Sequence, residues 1–199
     1  MKLLITLIIT LTFTSMAISA SDEIPKDCIN NNVHDNERSF SNNFSGTFNG
    51  KRLEYTASLN EKILYEKDNP SAPMASFFYT EYIVKSDKNR PVIFSFNGGP
   101  GSASLWLHMG VLGPKVIKVP SDASDDGSAP YKIVDNKLSP LSDADLVFID
   151  PIGTGYSRAV GCHEPEEFWG VSEDPKIIAE FIRRWINDNK RWNSPRYIL

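Results

Sequence analysis

The sequence predicts an α/β fold, with a mainly parallel central sheet and an antiparallel ribbon ahead of it. Three observations predict it. First, "VIFSF" at 92–96 and "DLVFID" at 145–150 are short, nearly unbroken apolar runs, the pattern of strands covered on both faces. Second, each run enters a glycine-bearing loop, and helical periodicity returns before the next apolar run, so strand, loop and helix alternate. Third, "LEYTASLNEKILYEK" and "ASFFYTEYIVK" upstream are rich in aromatic and β-branched residues and alternate, as an antiparallel ribbon does.

Taken in order, the elements begin with a secretion signal over residues 1–20. Lys2, the apolar run "LLITLIITLTF" and the small residues of "SMAISA" have the charge, length and exit expected of a signal peptide. A membrane anchor is the alternative, and the run falls short of the roughly 20 residues that an anchor needs. Residues 21–43 read as a polar leader, and residues 44–199 as the α/β domain. Within the ribbon, "LNEK" reads as a turn and "DNPSAP" as a loop. "SASLWLHMGVL" reads as a short helix with Leu105, Met109 and Leu112 aligned, and the stretch from Val119 to Pro140 as a polar excursion. "VSEDPKIIAEFIRRWINDNKRW" reads as a longer helix. Asp174 can cap it, Pro175 suits its first turn, and Ile177, Ile178, Phe181, Ile182, Trp185 and Ile186 form one stripe. "SPRYIL" then opens another buried strand.

The 199 residues suit one domain, and the formal charge of -4 argues against a nucleic-acid partner. Cys28 and Cys162 are the two cysteines; in an oxidising compartment they can pair, but their spacing does not decide whether they meet. No metal-ligand spacing occurs and no cofactor is expected. One glycosylation sequon, Asn43-Phe44-Ser45, is present, and it carries weight only in a source that glycosylates its proteins.

Function is sought at the carboxyl ends of the parallel strands, where open sheets place their sites. Two loops leave such ends, "FNGGPGSAS" and "DPIGTGYS". A dinucleotide reading fails on Ser104, which replaces the last glycine of the fingerprint, on Pro100 inside it, and on the missing acidic partner downstream. An oxyanion loop fits better, because backbone N–H groups of a glycine loop after an early strand can stabilise a developing negative charge. Glycines that only make tight turns remain the alternative.

"FNGGPGSASLW", "LGP", "LSDADLVFIDPIGTGYS", "FWGVSEDP" and "RWNSPRYIL" together resemble the secreted serine carboxypeptidases, from about residue 90 to the end and more weakly from about 50. The resemblance implies an α/β-hydrolase fold that removes single residues from peptide C-termini with a Ser-Asp-His triad. It also implies that Asn97 and Gly98 help bind the terminal carboxylate, that the Gly99 N–H is one oxyanion donor, and that Trp106 faces the leaving-residue pocket, unless it is an ordinary core aromatic. Asp150 and Gly153 to Tyr156 are read as supporting structure. The family nucleophile, in a G-x-S-x-G turn, follows directly on a segment resembling "SPRYIL". No such motif occurs in the 199 residues, and His34, His108 and His163 all lie upstream of that place. His108 is expected to pack or cap within its short helix and His163 to decorate a loop.

The expectation is therefore an incomplete fold, the N-terminal part of a hydrolase domain, inactive alone. A catalytically dead peptide-carboxylate-binding module and a non-functional truncated product are the alternatives. The partner is a peptide C-terminus, with no membrane after signal removal, in a secreted, periplasmic or lumenal setting. Three departures qualify the resemblance. Ser95 stands where many members have tryptophan, Ser102 where a disulfide cysteine is common, and Val111 where a glutamate often pairs with another. Without that carboxyl pair, the family's acidic preference is not carried over.

Overall fold

The computed structural model describes residues 36–86, 89–98, 101–119 and 129–199. The expected signal peptide, Cys28 and Gly99 lie outside the described residues. Strands β1 (Ser39–Phe48), β2 (Lys51–Tyr65) and β3 (Pro73–Val84) form an antiparallel ribbon. Strands β4 (Val92–Ser95), β7 (Asp145–Ile149) and β9 (Arg196–Ile198) are parallel, and the sheet runs β1-β2-β3-β7-β4-β9, with the two-residue β8 (Arg158–Ala159) beside β3. β3 meets β7 antiparallel, so the sheet is mixed rather than mainly parallel: the ribbon continues into the same sheet that holds the parallel strands. β5 (Lys115–Lys118), just before the polar excursion, and β6 (Lys132–Asp135), inside it, pair antiparallel as a separate two-stranded sheet.

The apolar runs are explained by what covers them. Val92, Phe94, Val147 and Ile149 face the long helix α2 (Glu173–Asp188), whose six stripe residues are all buried. Leu146, Phe148 and the partly buried Ile93 face the other way, toward Phe48, Tyr55 and Tyr82. Successive residues of a strand point to opposite faces, so a strand covered on both sides carries no polar alternation. Ser172, not Asp174, holds the cap position of α2; Asp174 and Glu173 sit in its first turn, where acidic side chains complement the helix dipole.

β2 passes through "LNEK" without turning, contrary to the turn expected there. Its polar side chains are satisfied within the sheet. Asn60 accepts from Ser39 Oγ (2.6 Å) and donates to Glu81 (2.9 Å), while buried Glu61 accepts from Arg38 Nε (2.8 Å) and Ser76 Oγ (2.6 Å). Turn-prone residues stay in a strand when cross-strand partners replace water. β1 likewise takes in residues 39–43, which composition had placed in the polar leader.

The expected short helix divides in two. Helix α1 (Leu105–Leu107) is a single turn, and His108–Leu112 continues with wider, π-type spacing. Gly113 N–H closes that turn on His108 O at 2.9 Å, while the His108 ring stacks on Phe148, 4.5 Å between centroids. Leu105 is exposed, so the aligned apolar residues do not form one core face.

Candidate active site

The amino ends of the parallel strands are tied together by charge. Buried Asp145, at the start of β7, accepts from Arg191 (2.9 Å), Arg90 (3.0 Å) and the Val84 N–H (3.0 Å). Arg191 also donates to Arg90 O at 2.6 Å and to Ser194 Oγ at 2.8 Å. This network sets the relative heights of β4, β7 and the segment entering β9, so their carboxyl ends emerge together on the opposite side of the sheet.

There the two glycine loops meet. Asn97 and Gly98, directly after β4, line a cavity of about 200 Å³ with Phe96, Gly101, Ile152 and Trp169. Asp174, Pro175 and Ile178, from the first turns of α2, close it from below. Asn97 Oδ1 is buried and has no partner among the described residues, as is true of Ser95 Oγ two residues earlier. A buried polar atom without a partner costs about 1–3 kcal/mol, so Asn97 Oδ1 is left able to accept from a donor. Gly98 is exposed, with open space on the side where a Cβ would stand.

The second loop supports this cavity. Asp150 accepts the Ser104 N–H at 2.8 Å, and Ser104 Oγ donates to Ile149 O, so the two loops are bonded to one another. Burial raises the Asp150 pKa, opposed by the bond from Ser104. Gly155, at φ +51°, stands where a side chain would overlap the Asp150 carboxylate. Gly153, at φ +87°, lies against the Trp169 indole, whose Nε1–H donates to Ile152 O at 3.0 Å.

The structure thus brings Asn97 and Gly98 together at one cavity. Trp106 is 72% exposed on α1 and is not part of the cavity wall. Val111 is also exposed. His108 packs against Phe148, as expected of a structural residue, and its Nε2 meets Tyr82 Oη at 2.5 Å. Burial lowers its pKa to about 4. His163 does more than decorate a loop: its two ring nitrogens meet Glu167 (2.8 Å) and Glu66 (2.9 Å). Cys162 beside it is disulfide-bonded. Sequence reasoning missed Trp169, Ile152 and the first turns of α2 as cavity walls, because nothing local marks a residue that reaches the site by packing. Among the described residues, no group of three or more His, Cys, Asp or Glu side chains is placed to hold a metal.

A model of the serine carboxypeptidase family matches residues 61–199. Among curated relatives, serine carboxypeptidase-like 9 of Arabidopsis thaliana is 32% identical over 128 residues, 62% of this chain and 27% of its own length. Serine carboxypeptidase-like 2 and serine carboxypeptidase-like 5 of the same plant are 31% and 30% identical over 124 residues, each alignment taking in 59% of this chain and 26% of the relative. The chain spans about a quarter of the length of the curated relatives it matches.

Proposed function

Because the chain belongs to the serine carboxypeptidase family, we propose that it supplies the carboxylate-binding and oxyanion wall of an α/β-hydrolase enzyme that releases C-terminal residues from peptides outside the cytoplasm. The observation that carries this reading is the position of Asn97 and Gly98 at the carboxyl end of β4, where both line one cavity. The Asn97 amide and Gly98 N–H have the donors to hold a terminal carboxylate. The Gly99 N–H, outside the described residues, would stabilise the oxyanion as the scissile carbonyl becomes tetrahedral.

The residues that would cleave the bond are not in this chain. No G-x-S-x-G motif occurs, and His108 is held in packing with Phe148 and Tyr82. The 199 residues are accordingly read as the N-terminal portion of the working enzyme, inactive alone. Exit from the cytoplasm rests on the basic, apolar and small-residue pattern of residues 1–20. No helix among the described residues is long and apolar enough to cross a membrane.

Turnover of N-blocked dipeptides tests the reading. The purified 199-residue chain is expected to release no amino acid above the buffer rate, and a longer gene product carrying the nucleophile is expected to turn over. In that longer product Asn97→Ala should lower kcat/KM about ten- to hundredfold, the loss expected for a hydrogen bond to a charged group at roughly 1.5–3 kcal/mol. Activity in the 199-residue chain would overturn the first part; an unchanged kcat/KM would overturn the role of Asn97.

A further inference from the structure

Strand β1 lies at the end of the sheet order, and among the described residues it pairs with β2 alone, through ten consecutive register positions. Its sequence, "SFSNNFSGTF", holds no charged residue and no proline, and the pairing has no bulge. Phe40 and Phe44 on it are 69% and 48% exposed. A long, regular, uncharged edge with exposed aromatics is a template for pairing with another chain, and proteins ordinarily blunt such edges with charge, proline, a bulge or a cover. β1 has none of the first three.

The sequon Asn43-Phe44-Ser45 stands in the middle of this strand. Ser39, Ser41, Asn43, Ser45 and Thr47 alternate onto one face of the ribbon, opposite Asn60, Ser58, Thr56, Glu54 and Arg52. That face is polar, and Asn43 and Ser45 on it are exposed. Phe44 points to the other face, where it stacks on Tyr55 at 5.9 Å. Asn43 Oδ1 accepts from Thr56 Oγ1 at 2.9 Å, a bond that modification of the amide nitrogen would leave intact.

We infer that Asn43 is an N-glycan acceptor and that its glycan covers the free edge of the sheet. In the transfer, Asn43 Nδ2 bonds to the anomeric carbon of a diphosphate-activated oligosaccharide. The carbon–oxygen bond to the diphosphate breaks, the diphosphate leaves with the electron pair, and one Nδ2 proton is released. The glycan projects from the polar face of β1, three strands away from β7 in the sheet order. The inference rests on the reading of residues 1–20 as a secretion signal.

The test is to express the full chain in a eukaryotic host and measure its intact mass before and after peptide N-glycosidase. A discrete loss of glycan mass with conversion of Asn43 to aspartate is expected, and Asn43→Gln and Ser45→Ala should each abolish it. A chain that enters the secretory lumen at its unmodified mass overturns this inference and leaves the secretion reading standing; a chain that stays in the cytosol overturns both. The covering role is read by light scattering. Glycan-free N43Q is expected to self-associate faster than the glycosylated chain, and adding Asn42→Lys to it should slow that association again. Equal scattering from glycosylated and glycan-free chains overturns the covering role.

Discussion

Two histidines that share a residue type titrate in opposite directions here. His163 is drawn toward its charged form. Burial acts to lower its pKa, but the bonds to Glu167 and Glu66 outweigh it and raise the value. Both ring nitrogens meet carboxylates, so both must donate, and only imidazolium can do that. His108 is kept neutral by burial, with its pKa lowered to about 4. The signs follow from linkage. The His163 contribution is complete below the ordinary histidine pKa of about 6.5 and is lost as pH rises through its raised value. The neutral His108 contribution is present above about 6.5 and is lost as pH falls toward 4. Melting temperature should therefore decline on both sides of pH 6.5. His163→Gln should flatten the alkaline limb and His108→Asn the acidic one; an unchanged profile in either variant would contradict its assignment. None of this was legible beforehand. "GCHEPEEF" shows a histidine four residues before Glu167, but Glu66 comes from just beyond the end of β2, far away in the chain.

Helix α2 shows how much an element owes to its partners. Its stripe was readable at 3.6-residue spacing because the helix has one covered side and a solvent side. Phe181 is fully buried and meets Phe77 at 5.2 Å and Tyr79 at 5.0 Å between ring centroids. Phe181→Ala should cost about 3–5 kcal/mol in a denaturant melt, the usual loss for a buried aromatic truncated to alanine. The exposed Arg183 on the same helix, truncated likewise, should leave the melt nearly unchanged, because solvent screens its pair with Glu180. Comparable losses from the two would mean that the helix does not pack as described. β2 is the opposite lesson. Local turn chemistry in "LNEK" pointed one way and cross-strand partners from Arg38, Ser39, Ser76 and Glu81 decided the other.

The molecule as a whole is organised with its ion network at one end of the parallel strands and its cavity at the other. Asp145 is the common partner of Arg90, Arg191 and the Val84 N–H, so removing its carboxylate leaves Arg191 buried without compensation. Asp145→Ala should destabilise by about 3–5 kcal/mol, the cost of breaking a buried pair by deleting one partner. Because the network sets strand height, amide exchange in the variant should accelerate in β4 and β9 as well as β7; acceleration confined to β7 would show that Asp145 acts locally. The arrangement also explains why "NGGPG" and "PIGTG" form one site despite their separation in the chain: β4 and β7 are neighbours, in register, and their ends lie side by side.

Chain order and composition alone established the two apolar strands, the helix that covers them, the glycine loops at their carboxyl ends and the family to which those blocks belong. Each of these is written in a local pattern: burial on two faces removes polar alternation, and burial on one face of a helix leaves a stripe. Assembly decided the rest. It made the sheet mixed by joining the ribbon to β7, carried β2 through turn-prone residues, and set Trp169 and the start of α2 against Asn97. It also drew His163 toward its charged form, kept His108 neutral and, among the described residues, left β1 as an uncharged edge with a sequon at its centre. These properties depend on which distant residues become neighbours, and no local pattern carries that information.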